Sequence, residues 1–251
     1  MTQFIHGTHP ICEGLKARPS PIKKILISRS RNRRSLAEIL RLADEKGVPI
    51  QWEDKDELTR LAKTSSHQGM LAQMDDFKYA ELPDIVHRWK AAGTRALLLV
   101  VDGVEDPQNL GALMRTANAF GVHGVVIPRD RAASITPIVI KASAGAVFHT
   151  PIARVTNIAS CLGVLKKHGV WILGAEVGAE RSIYDFDFDL DVAIVIGSEG
   201  RGIRLLVKKK CDFLASIPLA GEVSSLNASV AGALVMYEAV RQRWSREGSH
   251  G

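Results

Sequence analysis

Apolar and polar positions follow two different periods along this chain, and where the period changes an element begins or ends. Up to residue 74 the apolar runs are short. "IKKILIS" (22–28), "VPIQW" (48–52) and "GMLAQM" (69–74) read as strands. Between the first two, Leu36, Ile39, Leu40 and Ala43 recur at helical spacing as far as Gly47, and "DELTRLAKT" (56–64) predicts a second helix. The polar stretch "DDFKYAELPD" (75–84) then reads as part of a linker. Beyond it, "RALLLVVDGV" (95–104) is so continuously apolar that it predicts a strand covered on both faces. A helix over 107–120 follows, opened by Asp106 as cap and Pro107 in the first turn. Next come the strand "GVVIP" (124–128), a helix around 134–145, a short strand near "TPIARV" (150–155) and a helix around 156–168. The strands "GVWILGAE" (169–176), "VAIVIGSEG" (192–200) and "FLASIPLA" (213–220) precede a last helix from about Asn227 to Arg243. This alternation predicts an α/β fold with an open, mainly parallel sheet and helices on both faces. The expected organisation is a small α/β domain over 1–74, a linker over 75–94 and a larger domain over 95–251.

Composition narrows the class. With 46% hydrophobic and 24% charged residues, the 251-residue chain has the apolar content of a folded protein and not of a disordered one. No stretch approaches the ~18–20 apolar residues of a membrane helix. The start "MTQFIHGTHPICEG" lacks the basic and apolar blocks of a secretory signal. Cys12, Cys161 and Cys211 are far apart and form no CxxC, which argues against disulfides and zinc knots and for a cytoplasmic protein. The histidines offer no ligand set, so no metal is expected. "DFDFDLD" (185–191) alternates acid and apolar residues as a half-exposed edge or loop does.

Charge changes the picture more. The net charge is +6, and eight Lys/Arg lie between Lys16 and Arg34 with no acid among them. Arg29, Arg31, Arg33 and Arg34 are the densest part. They make either a solvated surface loop or a stripe that attracts a phosphate backbone.

In open parallel sheets the ligand crevice lies beyond the carboxyl ends of the strands, so three loops carry the candidate chemistry. "DGVEDPQNLG" (102–111) leads into a helix on which Gly111, Arg115 and Asn118 share a stripe. "GSEGRG" (197–202) allows a sharp backbone turn, but its order is not the GxGxxG of dinucleotide sites, and no phosphate-loop GxxxxGK[ST] occurs. In "AGEVSSLNAS" (220–229), Ser225 and Asn227 suit either a helix cap or a binding loop. Ile217 and Leu226 are placed there to bracket a flat, half-apolar ligand.

Together, "NLGALMRTANAFG", "IVIGSEGRG" and "IPLAGEVSSLNASVAGALVMYE" resemble, in order and spacing, the three motifs of the SpoU (TrmH-like) family of RNA ribose 2′-O-methyltransferases. "IHGTHPICEGL" and "SSHQGMLAQ" resemble the family's small RNA-binding module, which is L30e-like, so nearly the whole chain is covered. Within the family, the chain resembles the bacterial enzymes that methylate a guanosine ribose in the peptidyl-transferase region of 23S rRNA. The resemblance implies a SPOUT fold with a deep C-terminal trefoil knot, S-adenosyl-L-methionine as cofactor, no metal, ribosomal RNA of the large subunit as partner and a homodimer. By motif position, the cofactor contacts are Gly174, Gly197, Ile217 and Leu226, and the catalytic-site residues are Asn109, Arg115, Glu199, Ser225 and Asn227. Family chemistry casts Arg115 as general base. A guanidinium holds its proton at ordinary pH, so a charged clamp on phosphate and developing alkoxide is the other role for it. Asn109, Ser225 and Asn227 are then expected to hold that guanidinium and the cofactor carboxylate, with Glu199 orienting Arg115 or a main-chain turn. Two alternatives stay open: the same chemistry on tRNA, and a non-catalytic RNA-binding protein on the same fold.

Overall fold

The computed structural model describes residues 3–248. The chain forms two units, one from the residues up to Lys78 together with Ile135–His149, the other from Tyr79–Ser134 and Thr150 onward.

The first unit contains β1 (Gln3–His6), α1 (Thr8–Lys16), β2 (Ile22–Ser28), α2 (Ala37–Glu45), β3 (Ile50–Glu53), α3 (Lys55–Ala62) and β4 (Met70–Met74). Its sheet runs β1-β4-β2-β3, with β2 and β3 parallel and the other pairs antiparallel. Neither β1 nor α1 was expected from periodicity. A nine-residue helix holding Pro10 and Gly14 has poor intrinsic propensity; it forms here with Ile11, Cys12 and Leu15 buried.

The second unit begins with α4 (Leu82–Ala92), inside the segment expected to be linker. Its polar start is a capping box, in which Glu81 and Asp84 satisfy each other's backbone N–H groups. Ile85, Val86 and Trp89 on the far side are buried. Then follow β5 (Leu97–Asp102), α5 (Pro107–Ala119), β6 (Gly124–Pro128), α6 (Pro137–Ala142), β7 (Ile152–Val155), α7 (Ile158–Lys167), β8 (Trp171–Ala175), β9 (Arg181–Ser182), β10 (Val192–Gly197), α8 (Leu205–Lys208), β11 (Phe213–Ser216) and α9 (Ala228–Glu247). Of these, α6 belongs to the first unit. The segment around it was expected in the larger domain, but Gly145, at φ +89°, lies so close to Pro10 and Glu13 that a Cβ there would come within 2.7 Å of Glu13 Cβ. His149 Nε2 also meets Glu13 Oε2 at 2.7 Å.

The second sheet is parallel throughout, in the order β7-β6-β5-β10-β8-β11-β9. Its central strands β5 and β10 are buried at every position, as their unbroken apolar runs require. Leu98 and Val100 of β5 and Ala193 and Val195 of β10 pack with α4, α7 and Val207 of α8. By strand alternation Leu97, Leu99, Ile194 and Ile196 take the opposite face. There α5 and α9 pack together, with Gly232 of α9 against Leu113 of α5 and Ile196 of β10. In the 185–191 loop Phe186 and Phe188 point inward and Asp185 and Asp187 outward, as its alternation suggested.

A Cβ on Gly232 would sit 2.4 Å from Leu113 Cδ2. Gly232→Ala is therefore expected to destabilise by about 1–3 kcal/mol through overpacking, seen as a lower urea midpoint at unchanged slope.

Candidate active site

Three strands deliver the site. β5, β8 and β10 end together at one edge of the sheet, and the loops leaving them carry the polar groups. Asp106 caps α5 by accepting from the backbone N–H groups of Gln108 and Asn109, each at 3.2 Å, and so fixes Asn109 in the first turn. Asn227 caps α9 in the same way, its Oδ1 accepting from Ser229 N at 2.9 Å and Val230 N at 3.3 Å. That leaves both side-chain amides facing the loop after β10. Asn109 Nδ2 donates to Glu199 Oε1 at 2.9 Å, and Asn227 Nδ2 donates to Asn109 Oδ1 at 3.0 Å and also to Glu199 Oε1. The backbone N–H of Ala228 reaches the same carboxylate oxygen at 3.4 Å.

Three of the five expected catalytic-site residues, Asn109, Glu199 and Asn227, thus form one cluster. They hold one another and a main-chain turn, and none of them touches Arg115. That side chain is exposed, six residues further along α5, which places it ~9 Å up the axis and roughly 240° around from Asn109. It makes no hydrogen bond or ion pair to any described residue. The expected stripe is also divided: Gly111 is buried, and Asn118 Nδ2 donates to Thr150 Oγ1 at 3.1 Å. Ser225 is exposed, on the wall of the adjoining cavities.

Those cavities, of about 480 and 640 Å³, share a wall made by Ala175–Val177 and Ser224–Leu226 and form one groove beyond β8, β10 and β11. Ile217, Leu226 and Gly197, three of the four expected cofactor contacts, line it. Gly197 permits the close turn of the loop: a Cβ there would lie 2.2 Å from the carbonyl carbon of Gly202. Gly174, the other expected cofactor contact, lies buried within β8, paired with Val195 and Leu214 and with Leu214, Ile203 and Cys211 packed where its side chain would be, and it lines neither cavity. Glu176 pairs through Oε1 with Lys208 Nζ at 2.8 Å, while its buried Oε2 has no partner. A groove with apolar walls, a glycine-tightened backbone and a spare carboxylate oxygen suits a nucleoside-like cofactor with hydroxyl and amino donors.

Sequence reading missed two groups here. Asp102, fully buried at the end of β5, takes Arg204 Nε at 2.7 Å and the Arg204 backbone N–H at 2.8 Å. An acid terminating an apolar strand was the available signal for it. The Glu176–Lys208 pair had no signal, because the two residues lie 32 positions apart. Burial pushes the Cys161 and Cys211 thiols up to about 12 and Cys12 up to about 11, which keeps all three protonated at neutral pH. Among the described residues, no group of three or more His, Cys, Asp and Glu could hold a metal ion.

In the first unit, the four loop arginines are exposed or half-buried at the end of β2. Arg33 stacks over the Trp52 ring at 5.0 Å, Arg29 lies 3.7 Å from Asp54, and the stem of Arg31 lies over Gly69. This solvent-facing arrangement of cations and an aromatic ring suits RNA.

A parallel α/β sheet carrying a polar cluster and a half-apolar groove at its carboxyl edge, in a chain with a separate basic α/β unit, fits a transferase that acts on RNA. The sequence pattern of the SpoU rRNA methylase family matches residues 96–237, and that of the RNA 2′-O ribose methyltransferase substrate-binding family matches residues 4–80. The chain belongs to the SpoU family of RNA 2′-O-methyltransferases. It is 44% identical to the 23S rRNA (guanosine-2′-O-)-methyltransferase RlmB of Coxiella burnetii over 95% of each chain. It is 41% identical, over 96% of each chain, to a Bacillus subtilis protein placed in the TrmH family of tRNA/rRNA methyltransferases. Among solved structures it superposes on the SpoU methyltransferase AviRb of Streptomyces viridochromogenes, in complex with AdoMet, with a TM-score of 0.80 and 26% identity. That match covers 97% of this chain and 91% of the other. S-adenosyl-L-methionine is accordingly its cofactor.

Asn227 serves two purposes that substitution separates. Asn227→Ala is expected to cost about 0.5–2 kcal/mol by removing the α9 cap. Asn227→Ser keeps a capping oxygen and recovers most of that loss. Both lose the amide bridge to Glu199 and Asn109, and both are expected to transfer methyl groups at least tenfold more slowly. Thermal unfolding and a methyl-transfer assay on the same samples separate the two effects.

Proposed function

We propose that this protein methylates the ribose 2′-oxygen of a guanosine in 23S rRNA, in the peptidyl-transferase region of the large ribosomal subunit. The observation that carries this reading is the Asn109–Glu199–Asn227 cluster at the mouth of the cofactor groove. The 44% identity to the Coxiella burnetii RlmB supports the choice of target. When bound, S-adenosyl-L-methionine supplies an electrophilic methyl group on a sulfonium; every other requirement falls to the chain. Gly197, Ile217 and Leu226 hold the cofactor. Asn109, Glu199 and Asn227 keep the loop after β10 and the starts of α5 and α9 in one arrangement, against which Ser225 closes the groove. Arg115, unpaired and exposed, clamps the phosphate beside the acceptor ribose and offsets charge growing on its 2′-oxygen. Such an in-line displacement gains chiefly from alignment, which contributes ~7–11 kcal/mol in well-oriented systems.

In this reading Arg29, Arg31, Arg33 and Arg34 bind the RNA backbone, with residues 1–74 as the RNA-binding domain and 95–251 as the catalytic one. The protein works in the cytoplasm as a homodimer. Val230, Leu234 and Tyr237 support the dimer, since they stay 46%, 40% and 50% exposed on α9 while Val235 beside them is core. The trefoil knot implied by the family motifs is part of the same proposal. The same chemistry on tRNA is the second reading, favoured by the tRNA/rRNA description of the Bacillus subtilis relative.

The direct test is transfer of labelled methyl groups to unmodified large-subunit rRNA, with tRNA in parallel and the labelled nucleotide mapped. Label on a guanosine 2′-oxygen of rRNA is expected, and label on tRNA alone would transfer the proposal to the second reading. Arg115→Ala should abolish transfer and leave S-adenosylhomocysteine affinity within about twofold. Arg115→Lys should stay strongly impaired, because an ammonium lacks the bidentate fork. Neutralising the four loop arginines should weaken RNA binding and flatten its salt dependence without changing the single-turnover rate at saturating RNA.

A further inference from the structure

A third cavity, of about 350 Å³, opens on the second unit beside the cofactor groove, between the loop after β5 and the loop after β10. It shares Ser198, Glu199 and Arg201 with the groove and has Asn109 in its wall. Its charges are arranged to leave guanidinium groups free. Asp102 is consumed by Arg204, Asp106 by the N–H groups that start α5, and Glu199 by the two asparagine amides and Ala228. Glu105 is the remaining acid, exposed at the rim. Opposite it stand Arg131 and Arg201, neither with a hydrogen-bond or ion-pair partner among the described residues.

The backbone at Arg131 is a second, independent observation. Its φ is +56°, a left-handed conformation that a side chain with a Cβ disfavours. The Ala133 N–H, donating to the Val104 carbonyl at 2.9 Å, pins this turn to the loop after β5. Glycine would take that conformation freely, yet an arginine occupies it, on the wall of the cavity.

We propose that this cavity seats the RNA strand that flanks the methyl-accepting nucleotide, with its backbone phosphates on Arg131 and Arg201. A strand held there leads its neighbouring nucleotide toward the cofactor groove, which the cavity meets at Ser198, Glu199 and Arg201. The assignment deepens the reading of the chain as a ribose methyltransferase and rests on it. It gives the catalytic unit its own RNA contact, distinct from the basic loop of the first unit.

The test uses the full chain with Arg131→Gly, Arg131→Lys and the double variant Arg131→Gly/Arg201→Gln. Three quantities are measured: RNA affinity across a salt series, steady-state constants for RNA, and S-adenosylhomocysteine affinity by calorimetry. Arg131→Gly should be at least as heat-stable as the native protein, because glycine accepts the left-handed turn. It should nevertheless bind RNA roughly tenfold more weakly, with a salt slope shallower by about 0.7–1. KM for RNA should rise more than kcat falls, and Arg131→Lys should restore most of the slope. A merely structural role for Arg131 predicts no change in slope at all.

Two results would overturn the proposal. One is a double variant with native RNA affinity and slope, in the same assay where neutralising Arg29, Arg31, Arg33 and Arg34 abolishes both. The other is a loss of S-adenosylhomocysteine affinity as large as the loss for RNA, which would assign the arginines to the cofactor. Failure of the underlying reading looks different: the native protein itself would transfer no methyl group to any RNA, and the proposal would fall with it.

Discussion

The side chain of Asn227 joins the parts of this site that the chain itself keeps furthest apart. Its oxygen starts α9, and its nitrogen reaches both Glu199, after β10, and Asn109, at the start of α5. Without that bridge the loop after β10 would have to satisfy Glu199 from solvent, and the starts of the two helices would be free to move apart. The bridge is half-exposed, so its worth lies less in stability than in geometry. Three polar side chains with mutually satisfied donors and acceptors leave only one low-energy arrangement.

Packing beneath the bridge makes it possible. Helices α5 and α9 approach closely because Gly232 lets Leu113 lie against the α9 backbone, and α9 rests on β10 through Ile196. The strands are parallel and end in register, with Gly197 of β10 opposite Asp102 of β5. An edge of this kind brings loops that follow separate strands to one place, where the groove and the neighbouring cavity share Glu199 as a common wall. The buried Asp102 carboxylate is satisfied by the exposed Arg204, whose guanidinium and backbone N–H replace its hydration.

Much of this was legible from periodicity and caps. The run 97–102 announced a strand buried on both faces, and Asp106-Pro107 announced the start of α5 within a residue. The helix within 82–92 was hidden because its capping box and exposed face make its first turn polar, and only Ile85, Val86 and Trp89 carry its apolar side. The segment 135–149 was read correctly as containing a helix, while its place in the first unit rests on contacts with Pro10 and Glu13 that no local pattern encodes.

At the site the division is similar. The sequence by itself determined which residues are chemically capable: the three loops, the caps Asp106 and Asn227, and the glycine that lets the backbone turn at 197. Those are local properties of residue type and spacing. Tertiary structure alone decided which of them meet. Asn109 and Asn227 are joined across 118 positions and Glu176 and Lys208 across 32, whereas Arg115, six residues from Asn109 on the same helix, is directed away from it. Helical rotation separates near neighbours, and a parallel sheet gathers distant ones. The positions of the groove and the cavity beside it therefore follow from strand order, which short-range pattern does not specify.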